Sequence, residues 1–310
     1  MLLKNLDYLK ISIKNEEKTF DSSYMFLDKN LNIDNYVKVT QELKELLATI
    51  KTLKVRNQNT EQIYKDLFNI WKSEFAGQSE FNCFLSACDI TRDKLFYNFE
   101  DFKTVVDLYL ENRDLELYTP VHWIQALLDS ISSKAKGKCG ENKIIKIAIE
   151  EGFKLVNSWE EFNKNKKAIS SFSKNIFDII NIEKNLGVKL PNEKQNKLLD
   201  IILKNDRQYI FIEAKHLKEQ GGEQNKQMEE LISLISHKIS NNFMLGAFLD
   251  GSYSNKLLSS ISEDNIKDYN TISEKNKIDK QRKDILFALK ENNNSFWFNT
   301  KGFKSFIKDF

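Results

Sequence analysis

The sequence predicts an α/β protein, with a central mixed β-sheet flanked by helices and a mainly helical region preceding it. Three observations carry that reading. Apolar residues recur at three- and four-residue steps through much of the first 130 positions. Short apolar runs bounded by turn residues follow Gly140, and an amphipathic helical pattern separates two of them. The division expected is residues 1–130, helical, and residues 131–310, the α/β part. A chain of 310 residues is long enough to bury two such cores.

The elements follow in order. From Val37 to Phe75 the pattern is mainly helical, with Leu43, Leu46, Leu47, Ile50 and Leu53 on one stripe. "DFKTVVDLYLENRD" and "PVHWIQALLDSISSKAKG" continue the period, and Pro120 suits a first helical position. The small and basic residues from Ser132 to Gly140 read as a linker or mobile loop. "ENKIIKIAIEEGFKL" is a helix, followed by a mixed stretch to Lys189. "LLDIIL" and "QYIFIEAKH" form a hairpin across "KNDR". A glycine pair, the helix "EQNKQMEELISLISHKIS" and the buried strand "FMLGAFLD" complete a crossover, so the strands starting at Gln208 and Phe243 should run parallel. "SFWFNTKGFKSFIKDF" reads as a strand and a last amphipathic helix.

Composition sets outer limits. Lys and Arg total 47 against 45 Asp and Glu, a net charge of +2, so no global positive field announces a nucleic-acid partner. Cys83, Cys88 and Cys139 are odd in number and lack CxxC spacing, which argues against a disulfide framework or a zinc site. No apolar run approaches eighteen residues, and "MLLKNLDYLKISIKNEE" has no cleavable apolar core. A soluble, cytoplasmic protein is expected.

Chemistry concentrates in "YIFIEAKH". Strand side chains alternate, so Glu213 and Lys215 share one face while Ile212 and Ala214 take the other. Opposite charges on a largely apolar strand are costly if buried and weak if exposed, so they require a reason. If the hairpin closes symmetrically about Asn205 and Asp206, Asp200 faces Phe211 and Glu213 lies on the diagonal, on the same face. A bulge would break that register. Two carboxylates on adjacent strands suit Mg²⁺, which takes oxygen ligands, keeps waters and is completed by substrate phosphate. Lys215 beside them would stabilise hydroxide formation and charge developing on phosphoryl oxygens.

"LLD", the thirteen-residue step from Asp200 to Glu213, and "EAK" resemble the PD-(D/E)XK signature of type II restriction endonucleases. Leu199 stands where the family often has proline, a residue that ligates nothing. The wider likeness covers about 35 residues, "KQNKLLDIILKNDRQYIFIEAKHLKEQGGEQNKQ", and extends more weakly back to Gly140. The resemblance implies a restriction-endonuclease-like core and a Mg²⁺-dependent, sequence-specific double-stranded DNA endonuclease. It also implies a homodimer, a companion DNA methyltransferase, and products with 5′-phosphate and 3′-hydroxyl ends. Asp200, Glu213 and the Ala214 carbonyl would hold the metal, with Lys215 catalytic. A glutamate on the preceding helix often assists in this family, which makes Glu141 a further catalytic candidate; complementing the helix dipole is its alternative role.

Lys218 and Lys226 are candidates for phosphate contacts, against a solvated face, and Gln224 and Gln227 for contacts to DNA or water, against capping and solvation. Gly221 and Gly222 would let backbone approach a phosphate, or form an ordinary flexible turn. His216 points away from Lys215 and reads as structural, and Asp250 as a turn residue. Residues 1–130 would serve DNA specificity, dimer contacts, or both. The rival functions are a repair or recombination nuclease on the same core, and a DNA-binding protein without activity.

Overall fold

The computed structural model describes residues 2–18, 33–135, 137–190, 199–218, 222–240 and 242–310. The chain divides into two units. One joins the N-terminal helix Asn5–Lys14 to Ala135–Phe310; the other takes in the described residues of Leu27–Lys134. The expected cut at residue 130 therefore misplaces the N-terminal helix, which belongs with the sheet.

Among the described residues, six strands form a single mixed sheet in sequential order: β1 Lys154–Leu155, β2 Lys167–Ser171, β3 Ile201–Asn205, β4 Gln208–His216, β5 Phe243–Asp250 and β6 Ser295–Phe298. β2, β3 and β4 are antiparallel neighbours, whereas β4, β5 and β6 run parallel. The parallel pairs need crossovers, and the helices Gly222–Ser236 and Lys277–Glu291 lie in those connections. Strand β5 is buried from Met244 to Asp250 because helices cover both of its faces.

One face packs Ile201, Leu203, Ile210, Ile212, Ala214 and Phe248 against the helices Gly137–Glu150 and Thr300–Asp309. The opposite face has two cores. Ala247, Leu249 and Trp297 meet Met228, Leu231 and Ile285 from the crossover helices, while Ile202, Phe211 and Leu245 pack with Phe162 and Phe177. The N-terminal helix contributes Tyr8 to one face and Leu9 to the other, and packs along edge strand β6. It is pinned there by Asn5, whose side-chain amide donates to the carbonyls of Leu289, Asn292 and Ser295 at 2.7–3.0 Å. Packing a helix along an edge strand is one way to shield its ladder.

The other unit is helical. Leu43, Leu47 and Ile50 on the Ile33–Val55 helix pack with Leu67 and Trp71 of Glu61–Trp71 and with Phe102 and Val106 of Phe99–Asn112. The first of these helices ends just before Asn57, which adopts a left-handed conformation at φ 52°.

Two expectations fail. Ser132–Gly140 is not a loop: its described residues lie in the helices Val121–Ala135 and Gly137–Glu150. Gly140 permits close packing, since a Cβ there would come within 3.3 Å of the Ala214 Cβ. The helix expected to run through Leu155 stops at Glu150, and its last two residues form β1; the mixed stretch before Lys189 hides β2, and the brevity of both strands leaves little pattern to read.

Candidate metal centre

The β3–β4 hairpin sets the geometry. Its ladder pairs Asn205 with Gln208 and Ile201 with Ile212, so Phe211 faces Ile202 and not Asp200. The expected register is wrong by two positions because the turn closes on Asp206 and Arg207, with Asp206 left-handed at φ 53°. An even slip preserves the faces and shifts Asp200 from the diagonal toward the level of Glu213. The Asp200 N–H donates to the Ile212 carbonyl at 3.1 Å, so Asp200 and Ile201 address one partner residue, the pattern of a bulge. The anticipated disturbance is thus present, yet it leaves the carboxylates together. Asp200 Oδ2 accepts from the Ala214 N–H at 2.7 Å, which ties the carboxylate directly to β4.

The electrostatics follow from that crowding. Burial pushes the Asp200 carboxyl up to about 7, and the charge of Glu213 adds to the rise. The Ala214 N–H and the Lys215 ammonium pull it back, while the Glu141 carboxylate raises it further. Glu213 is only 3% exposed, and its Oε1 accepts from the Lys215 Nζ at 2.5 Å. The same Nζ lies 3.7 Å from Glu230 Oε2, on the crossover helix Gly222–Ser236. Two carboxylates and an ammonium are therefore held together at the ends of two strands.

Glu141 comes to this site through helix packing. Gly140 rests on Ala214, while Ile144, Ile147 and Ala148 bury the same helix against the sheet. Two residues on, Lys143 points to a second charged cluster, with its Nζ 3.3 Å from Asp250 Oδ1 and 3.6 Å from Glu17 Oε2. His216 Nδ1 lies 3.7 Å from Asp250 Oδ2. Asp250 is fully buried and central to this cluster, which corrects its reading as a turn residue; it also accepts from the Gly251 N–H. Glu17 in turn caps the last helix by accepting from the Thr300 N–H and hydroxyl.

The structure does not bring every candidate together. Lys218 and Lys226 are exposed, and Gln224 and Gln227 are half-buried on the helix that carries Met228 and Leu231 inward. None of these four is hydrogen-bonded or ion-paired to Asp200, Glu213 or Lys215 among the described residues. Gly222 opens the crossover helix, and Gly221 lies outside the described residues. Sequence reasoning missed Glu230, whose one local signal is its place a turn beyond Gln227. It also missed the grouping of Glu17, Lys143 and Asp250, which are distant in sequence and share no motif.

The donor set fits a hard cation. Among the described residues no group of three or more His, Cys, Asp and Glu forms a metal-ligating cluster. Asp200 and Glu213 nevertheless form a pair whose mutual repulsion a cation would relieve, and Mg²⁺ usually takes one or two carboxylates with waters and phosphate. No protein-family model matches the chain, and no curated protein matches its sequence. Among the described residues, no helix is long and apolar enough to cross a membrane.

Proposed function

We propose that this protein is a Mg²⁺-dependent, sequence-specific endonuclease of double-stranded DNA, built on a restriction-endonuclease-like core. The reading rests on one observation above all. Asp200 and Glu213 meet at the ends of adjacent antiparallel strands, with the Lys215 ammonium 2.5 Å from Glu213. The crossover helix and parallel strand that follow support the same reading. So does Glu141, which extends its charge to Asp200 from the preceding helix.

Asp200, Glu213 and the Ala214 carbonyl would hold the ion. When bound, Mg²⁺ would supply Lewis-acid stabilisation of phosphoryl oxygens and acidify water. The chain's own groups do the rest. The Ala214 N–H fixes Asp200, so that carboxylate is oriented before any ligand arrives. Lys215 keeps a positive charge where the phosphate becomes more negative during in-line attack, in a site with little water to screen it. Glu141 adds a carboxylate able to orient the attacking water, and Lys218 and Lys226, both exposed, follow the motif and are available to backbone phosphates. Gln224 and Gln227 are candidate base or water contacts. The helical unit would supply further DNA contacts or a dimer surface, since a metal core alone reads no bases.

Digestion of a DNA of known sequence with Mg²⁺, followed by mapping of the fragment ends, tests the reading. Discrete sites with 5′-phosphate ends are expected. Cleavage without fixed sites would favour a repair or recombination nuclease. DNA binding with no cleavage under any divalent ion would make the chain a binding protein. A methyltransferase gene beside this one would support restriction.

A further inference from the structure

We infer that Glu230 is a positioning residue that takes Lys215 over from Glu213 when a divalent cation binds. The inference rests on the metal-centre reading above and concerns what must move for a cation to enter. The Lys215 ammonium donates to Oε1 of Glu213 at 2.5 Å. Glu213 is 3% exposed, so little water is available to replace that partner. A cation ligated by Glu213 competes with the ammonium for the same carboxylate. Two positive groups cannot share one buried oxygen without strong repulsion.

The second acceptor is already in place. Glu230 Oε2 stands 3.7 Å from the same Nζ, so a shift of about 1 Å along the flexible lysine chain converts that ion pair into a hydrogen-bonded one. Glu230 sits on the crossover helix, anchored by the flanking buried Met228 and Leu231, and is itself 28% exposed in its side chain. Its carboxylate therefore costs less to leave charged than Glu213 does. The transfer frees Glu213 Oε1 for the cation and keeps the ammonium within the site. Without Glu230, the lysine's other carboxylate partner here is Glu213, and the cation meets a competitor.

The test is a double-mutant cycle on the full-length protein, measuring Mn²⁺ dissociation constants by titration calorimetry without DNA. Glu230→Gln should weaken Mn²⁺ binding about ten-fold in the presence of Lys215. In a Lys215→Met background, where the competitor is gone, the same substitution should cost about three-fold or less. Equal or larger loss without the lysine would overturn the inference, because Glu230 would then act as a ligand or through its field alone. A Mn²⁺-bound crystal structure gives the direct readout: the Lys215 ammonium should be hydrogen-bonded to Glu230. Finding it still on Glu213 Oε1 with the ion bound would equally overturn it. If the wild-type protein binds no Mn²⁺, or binds it undiminished after Asp200→Ala, the metal-centre reading itself falls and this inference with it.

Discussion

Replacing Asp200 by asparagine should stabilise the metal-free protein at alkaline pH and not at acid pH. Asp200 titrates near 7 in the folded protein, against 3.8 for an ordinary aspartate. Between those values the folded chain holds a proton that the unfolded chain has released. The stability from that proton is complete below pH 3.8 and is lost as the pH rises through about 7. A three-unit rise corresponds to a ceiling of about 4 kcal/mol, at roughly 1.36 kcal/mol per unit. Partial exposure of Asp200 lowers that ceiling, as does the weaker hydrogen bond that a neutral amide accepts from the Ala214 N–H. The expected gain for Asp200→Asn is therefore about 2–3 kcal/mol at pH 8, falling toward zero near pH 4. Urea denaturation in the presence of a chelator, with both proteins at pH 4.5, 6 and 8, measures it. A pH-independent difference, or no gain at pH 8, would refute the claim that crowding of Asp200 destabilises the empty site. Saturating Mg²⁺ should erase the variant's advantage, because only the wild type gains from binding.

Other outcomes follow from the same geometry. Asp200→Ala and Glu213→Ala should abolish cleavage while DNA binding in Ca²⁺ survives; full cleavage by either would remove the metal assignment. Lys215→Ala should slow single-turnover cleavage by about two to three orders of magnitude, and Lys215→Arg should not restore it, since the larger planar guanidinium cannot replace an ammonium 2.5 Å from Glu213. Lys143→Met leaves Glu17 and Asp250 as buried carboxylates without their shared cation, and should cost about 3–5 kcal/mol in denaturant unfolding. Asn5→Ala removes the donor shared by three carbonyls, and a loss of about 1–3 kcal/mol would show that the N-terminal helix is integral to the sheet unit.

The sequence alone determined the features that short-range chemistry dictates. The run ending in "EAK" alternates faces whatever surrounds it, so Glu213 and Lys215 were bound to lie together. An apolar run, an amphipathic helix and a second apolar run implied the parallel β4–β5 pair, which the sheet contains. Leu43, Leu47 and Ile50 marked the buried stripe of their helix. Tertiary structure decided the rest. The hairpin register depended on Asp206 taking a left-handed conformation, a choice that residue type permits but does not require. The two-residue β1 and the five-residue β2 exist because a neighbouring ladder satisfies their backbone groups, and pattern cannot reveal so short a partner. Gly140 looked like a flexible joint, yet its missing side chain is what lets a helix close on Ala214 and bring Glu141 to Asp200. Glu17, Lys143 and Asp250 carry no local sign of one another. Charges separated by more than a hundred residues meet only after the chain has folded, where burial makes an opposite charge a favourable neighbour.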